Sequence, residues 1–290
     1  MSVSTWIFLF ADDASLVYIG SNNHQANVNN EMDNVDVYFI QNKLSLNIPK
    51  SSHMDIKNCD FEVSIRNQVI EKESTTKYLG ILMDKSLNYK NHINKLKAKL
   101  SVHSGVICKL RHYIPKHILL MYYNSHVKPI IQYGVLVYGC TSSNNLLPIL
   151  RQQKKILRII LGKRQWESVY DDFFRMKILT VYELYAYDLL IFSLRSLNNV
   201  HADPALNELF SKISHQRRTR NSDKGYLKIP ISSNNLQRFS IQVRGAKLIN
   251  FLLENDILHP KYDQLAESEI EILIRDSIIL QNEALIKRIF

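Results

Sequence analysis

Two apolar runs, Trp6-Ile7-Phe8-Leu9-Phe10 and Leu16-Val17-Tyr18-Ile19, flank an adjacent pair of carboxylates, Asp12 and Asp13. Runs of that length, rich in aromatic and β-branched residues, read as strands, and the polar break between them as a turn. The pattern constrains this part of the chain to a β-hairpin with an acidic tip. Asp is at home in turns because its side chain binds local backbone groups, so an ordinary acidic turn has the same pattern. A tip with two carboxylates also has a chemical use. Mg²⁺ takes hard oxygen ligands, one or two carboxylates together with substrate phosphates.

From about Val28 to Leu46 the spacing predicts a helix that turns Val35, Phe39 and Leu46 toward a core. It should end before Asn47-Ile48-Pro49, because proline disfavours helical geometry in the residue before it. Residues 53–83 alternate and carry Met54, Ile56, Phe61, Val63, Ile65, Val69 and Ile70. They read as short antiparallel strands ending in a strand at Lys77–Met83. Residues 1–84 are therefore expected to be α+β.

After Asn88 the period becomes helical. Ile93, Leu96, Leu100, Ile107, Leu110 and Ile114 share one face, while Lys95 and Lys99 stack four apart on another, with Lys90 and Lys97 nearby. Pro115 is placed to open a helix carrying Leu119, Tyr122, Tyr123, His126 and Ile130, which Pro129 kinks or ends. Tyr122 and Tyr123 are expected in the core. A basic amphipathic helix follows over 144–161, with Arg151, Lys154, Lys155 and Arg158, and a more apolar one over 181–197. The pattern lapses from Ser214 to Pro230, where His215–Asn221 reads as a basic loop. Helices are expected again over 236–253 and 268–287. Only 8 glycines and 7 prolines punctuate the 290 residues, which fits long helices.

The net charge of +10 is uneven: −4 over 1–80, +18 over 81–250 and −4 over 251–290. An acidic head followed by a strongly basic middle suits a polyanionic partner, although lysines on solvated helix faces need no ligand. Cys59, Cys108 and Cys140 are scattered, with no paired spacing for a zinc site or a disulfide framework, so no disulfide-linked partner is expected. His112 and His117 are read as ordinary surface or interface residues. The apolar stretch from Trp6 to Ala11 is too short to span a membrane, and no membrane partner is expected.

Several short segments, in order, resemble the C-terminal half of a non-LTR retrotransposon reverse transcriptase of the jockey-like kind. Phe10-Ala11-Asp12-Asp13 is similar to the metal-binding box of that family. Asn42 to Ser51, reading N-K-L-S-L-N-I-P-K-S, resembles the following palm motif, and Lys77 to Asp84 (K-Y-L-G-I-L-M-D) the primer-grip segment. His92-Ile93 through Leu110-Arg111 resembles the thumb helix. Tyr133 to Gly139 is similar to a Y-G-x-x-x-W-G turn, and Arg220-Asn221 with Arg244 to Asn250 resembles the segment beyond the thumb. Conservative departures are Tyr38 for a Trp, Ser51 for a Thr and Tyr138 for a Trp. The first catalytic Asp motif, the glycine motif and the fingers have no counterpart, so the resemblance implies an N-terminally truncated polymerase.

The resemblance implies a partial palm over 1–84, a basic helical thumb over 85–165 and a helical connector over 166–290. The implied chemistry is RNA-directed DNA synthesis with Mg²⁺, on an RNA template and DNA primer or an RNA–DNA duplex. Asp12 would ligate metal directly, and Asp13 would support it or bind more loosely. Asp33 and Asp36 lie on the expected helix and are not assigned as the missing third carboxylate. Lys50 would neutralise or protonate the leaving pyrophosphate; on the residues alone it reads as a turn lysine beside Pro49. Tyr78, Leu79 and Gly80 would hold the primer backbone. Lys90, Lys95, Lys97, Lys99, Lys109 and Arg111 would contact duplex phosphates, positioning without reading bases. With half the metal cage missing, these residues alone are expected not to polymerise. The alternatives are a non-catalytic nucleic-acid-binding module and a decayed transposon reading frame. The resemblance implies an intracellular protein, in cytoplasm or nucleus.

Overall fold

The computed structural model describes residues 4–11, 13–19, 25–56, 62–213, 225–255, 257–258 and 290. Asp12, Phe61, the basic 215–221 loop and the helix expected over 268–287 lie outside them. The chain divides into two compact units, Met1–Leu87 and Asn88–Phe290.

The first unit mixes strands with one long helix. Strands β1 (Ser4–Phe10) and β2 (Asp13–Ile19) pair antiparallel, from Ser4 opposite Ile19 to Phe10 opposite Asp13. Along β1, Trp6 to Phe10 are each between 46% and 62% exposed, so both faces of the strand meet solvent. Among the described residues β1 pairs only with β2; an apolar two-stranded ribbon is marginal in water, and an unpaired edge is a template for another strand.

Helix α1 (Gln25–Gln41) buries Val28, Val35 and Phe39. It stops five residues before the expected Leu46. The amide of Leu44 donates to the Phe39 carbonyl at 2.8 Å and that of Lys43 to Ile40 at 3.0 Å, with Lys43 left-handed at φ 58°. That is a Schellman ending built on lysine rather than glycine, which hides it from sequence reading. Leu46 still reaches the core, packing from an extended segment with Tyr18, Met32 and Ile48 onto Val28, Val63, Ile65 and Ile70.

The strands that follow are short. β3 (Ser52–His53) pairs with β6 (Glu71–Lys72), and β4 (Ser64–Ile65) with β5 (Gln68–Val69). The β3–β6 pair is parallel, against the antiparallel expectation. The stretch expected as one strand at Lys77–Met83 is a hairpin, β7 (Thr75–Tyr78) and β8 (Ile81–Asp84). Its two-residue turn needs left-handed geometry twice, and Leu79 (φ 44°) and Gly80 (φ 85°) supply it.

The second unit is mainly helical among its described residues, with one antiparallel bridge between Lys212 and Leu227. α2 (Lys90–Leu110) packs along α6 (Ser143–Leu161). Between them run α3 (Lys116–Tyr122), α4 (Lys128–Gln132) and the short α5 (Val135–Tyr138). Pro129 does not end its helix. A π turn over Tyr123–Val127 precedes it, closed by the Lys128 amide on the Tyr123 carbonyl. The wider turn gives room to a ring that has no N–H and would clash with the carbonyl four residues back. Tyr123 is buried, as expected of a core residue, while Tyr122 is only half-buried.

α7 (Tyr170–Arg175) leads to α8 (Val181–Leu197), which packs against α4, α5 and α6. A capping box starts α8: the Thr180 amide donates to the Glu183 carboxylate at 2.7 Å, and the Glu183 amide to the Thr180 hydroxyl at 3.4 Å. After α9 (Pro204–Asn207), the helix expected over 236–253 is two, α10 (Asn235–Arg238) and α11 (Ile241–Glu254). Ser240 breaks the run by capping the Val243 amide of α11, which then packs on α8. Helices from both sides of residue 165 thus share one core.

Candidate nucleic-acid interface

The hairpin closes at the Phe10–Asp13 pair, and Ala11, next to Phe10, is left-handed at φ 52°. Asp13 is exposed. Asp12, the direct metal ligand implied by the resemblance, lies outside the described residues. Asp33 is exposed, and Asp36 serves the fold. The Asp36 carboxylate accepts from Arg66 Nε at 2.7 Å and from a terminal guanidinium nitrogen at 2.8 Å. That fork holds Arg66 at φ 51° in the β4–β5 turn. Among the described residues no group of three acidic, His or Cys side chains gathers as a metal site.

Lys50 ends a single 3₁₀ turn, Ile48–Lys50, with Pro49 as its middle residue. Its side chain is exposed and forms no ion pair with Asp13 among the described residues. Tyr78, Leu79 and Gly80 cluster at the β7–β8 turn.

The cations of α2 are the strongest feature. From Lys85 to Trp166 the chain has no Asp or Glu and fifteen Lys and Arg. Lys90, Lys95, Lys97, Lys99, Lys109 and Arg111 are all exposed, and among the described residues none pairs with a carboxylate. They do not form one row. At 100° per residue, Lys90 and Lys97 share one flank of the exposed face, and Lys95, Lys99 and Lys109 the other. The opposite face buries His92, Ile93, Leu96, Leu100, Ser104 and Ile107.

His92 couples that face to the charges. Burial pushes its imidazole down to about 4, and Lys95 and Lys99 add to the shift. Its ring lies 5.2 Å from that of Tyr138. A folded state that keeps His92 neutral loses ground as pH falls from about 6.5 toward 4, because the unfolded chain takes up the proton first. Asp188 acts in the opposite sense. Burial raises it to about 6, against the Gln132 hydrogen bond and Lys128, so its protonation favours folding over part of the same range. The expected result is therefore a difference: between pH 6.5 and 4.5 the parent loses more stability in urea than the His92→Phe variant. Parallel pH profiles would remove His92 as the source.

Sequence reading assigned no role to two buried polar residues that organise this unit. Gln153, on α6, donates to the Tyr123 hydroxyl at 2.9 Å and the Leu179 carbonyl at 3.1 Å, and accepts from the Val181 amide at 2.8 Å. Arg244, on α11, is fully buried and donates to the carbonyls of Gly139 at 2.8 Å and Thr141 at 2.6 Å. Its guanidinium lies 5.4 Å from the Tyr185 ring centre, 4.7 Å from Phe239 and 4.6 Å from Phe290. Two segments singled out separately, Tyr133–Gly139 and Arg244–Asn250, are thus one joint. Its glycines are sites of close approach: a Cβ on Gly139 would strike the Tyr185 ring, and one on Gly245 the Phe210 ring.

With this geometry in place, comparison with known proteins adds one relationship. The chain is 31% identical over 104 residues to the RNA-directed DNA polymerase from mobile element jockey of Drosophila melanogaster. Part of this chain is distantly related to a retrotransposon reverse transcriptase. The match covers 34% of the chain and 11% of that relative, so the chain spans about a tenth of the polymerase it resembles. No protein-family model matches the chain, and no solved structure does. Among the described residues no helix is long and apolar enough to cross a membrane.

Proposed function

We propose that these 290 residues correspond to the part of a retrotransposon reverse transcriptase from its Asp-Asp hairpin onward, and that in isolation they bind nucleic acid without polymerising. In this reading 1–84 is the end of the palm, 85–165 the thumb and 166–290 the connector. The observation that carries the reading is the carboxylate-free basic stretch from Lys85 to Trp166, in a chain related to a reverse transcriptase. Such a surface attracts a phosphate backbone by releasing its counterions. Lys90, Lys95, Lys97, Lys99, Lys109 and Arg111 hold an RNA–DNA duplex by its phosphates, and Tyr78 to Gly80 hold the primer strand. Asp12 and Asp13 would ligate Mg²⁺ only with a further carboxylate that the described residues do not bring. The exposed apolar β1 strand, which has no strand partner but β2 among the described residues, supports the same reading, since a palm hairpin needs a neighbouring strand.

The test joins binding to activity. Affinity for an RNA–DNA duplex should fall with salt along a log–log slope of about −3 to −5, as expected for several phosphate contacts. Asp12→Ala should bind equally well, and the parent should show no primer extension with Mg²⁺. Extension that disappears in Asp12→Ala would overturn the inactive reading; salt-insensitive binding would overturn the phosphate reading.

A further inference from the structure

The loop between α6 and α7 displays a tryptophan and pins it there. Trp166 is 77% exposed. Tryptophan is among the residues most strongly driven indoors, so an ordered loop that holds one in solvent forgoes hydrophobic stabilisation. The order comes from several braces. α6 ends at Gly162, left-handed at φ 72°, with the Lys163 amide on the Arg158 carbonyl at 2.9 Å. Arg158 Nε reaches the Glu167 carbonyl at 2.9 Å. Lys163 Nζ donates to the Ser168 carbonyl at 3.1 Å and forms an ion pair with the buried Asp172. The loop is tied on both sides of Trp166 while its indole is left out.

The surroundings specify the chemistry. The Arg164 guanidinium lies 5.6 Å from the Trp166 ring centre. On α7, Tyr170 (58% exposed) and Phe174 (45%) stand four apart on the solvent face, while Phe173 is buried behind them. Over residues 150–177 there are eight Lys and Arg against three acidic residues; Arg158 braces the loop and Lys163 pairs with Asp172, which leaves six cations against two acids. Exposed aromatic faces set among cations match unpaired bases with their phosphates. A duplex, whose bases are stacked inside, offers such faces only at its ends.

We propose that Trp166, with Arg164, Tyr170 and Phe174, is a stacking platform for single-stranded nucleic acid. This goes beyond the duplex contacts assigned to α2 and uses a different element. The charge complementarity of the segment selects a polyanion over an apolar protein partner, and the aromatic faces select unpaired strands over duplex.

The experiment uses the full chain carrying Trp6→Phe, which leaves Trp166 as the sole tryptophan. An oligouridylate of about ten nucleotides, enough for one aromatic groove, is titrated in, with a blunt RNA–DNA duplex of the same length as comparator. The expected result is saturable quenching of Trp166 fluorescence by the single strand and little by the duplex. Trp166→Ala should weaken binding of a labelled oligouridylate roughly tenfold or more, while Trp166→Phe keeps most of it. Changing Lys95, Lys97 and Lys99 to Glu should lower duplex affinity and leave most of the quenching, so failure at one surface is distinguishable from failure at the other. Absent quenching, equal quenching by the duplex, or unchanged affinity in Trp166→Ala would overturn the proposal. So would a concentration-dependent emission shift without oligonucleotide, which would show that Trp166 docks a second copy of the chain.

Discussion

Replacing Arg244 with methionine should lower the stability of the helical unit by about 2–5 kcal/mol, because two buried carbonyls lose charge-assisted donors and receive no substitute. Gly139 and Thr141 lie at the end of α5, and their carbonyls point to Arg244 from a site that solvent does not reach. A buried ion pair exchanged as a whole for apolar residues costs little, since both charges leave together. Here the partners are main-chain oxygens and cannot leave. Methionine fills much of the volume between Tyr185, Phe239 and Phe290, so the loss is polar rather than a cavity. Arg244→Lys should recover only part of it, because an ammonium does not span two carbonyls as a planar fork does. Urea unfolding reads the effect as a lower midpoint at an unchanged slope. A midpoint within experimental error of the parent would mean that the joint between the two segments carries no energy.

The same arginine shows where sequence reading ends. An isolated Arg in a basic chain is normally a surface residue, and nothing local distinguishes Arg244 from Arg238 on the preceding helix. Its burial depends on α8 and α11 closing over α5, which no periodicity reveals. Elements fixed by strong local patterns were legible. α8 runs from Val181 to Leu197 as its apolar spacing predicts, and α6 begins one residue earlier than expected. Boundaries moved where the backbone used an uncommon residue for a special conformation. Lys43 ends α1 in a position that glycine usually takes, and Leu79 occupies a left-handed turn position where asparagine or glycine is usual. The π turn before Pro129 has no sequence signal beyond the proline itself.

The candidate interface was legible in a different way. Charge adds along a chain whatever the fold, so the basic middle is visible in the amino-acid sequence alone. Hidden from the sequence is its division between two settings. On α2 the cations stand on solvated flanks, unpaired among the described residues. Around Trp166, Arg158 and Lys163 are consumed in bracing a loop. A count of lysines and arginines cannot separate those roles; hydrogen-bond geometry does.

Changing Lys95, Lys97 and Lys99 together to glutamate should weaken duplex binding about a hundredfold or more at moderate salt and reduce the salt slope by about 2 to 3. Two flanks of α2 are altered at once, Lys97 on one and Lys95 with Lys99 on the other. A duplex lying along either flank therefore loses contacts. The substitutions leave the helix intact, since all three side chains are exposed and glutamate is a good helix former. They also put negative charge beside His92, which Lys95 and Lys99 push toward its neutral form. The variant should accordingly tolerate acid slightly better than the parent, an internal check that the reversed charges sit where the structure puts them. Conversion of Lys128, Arg151 and Lys155 to glutamate changes the net charge equally but lies on α4 and α6. If that control weakens the duplex as much as the α2 triple and flattens the salt slope equally, net charge alone explains binding and α2 is not the interface. If only the α2 triple does so, the duplex has a defined seat on this helix.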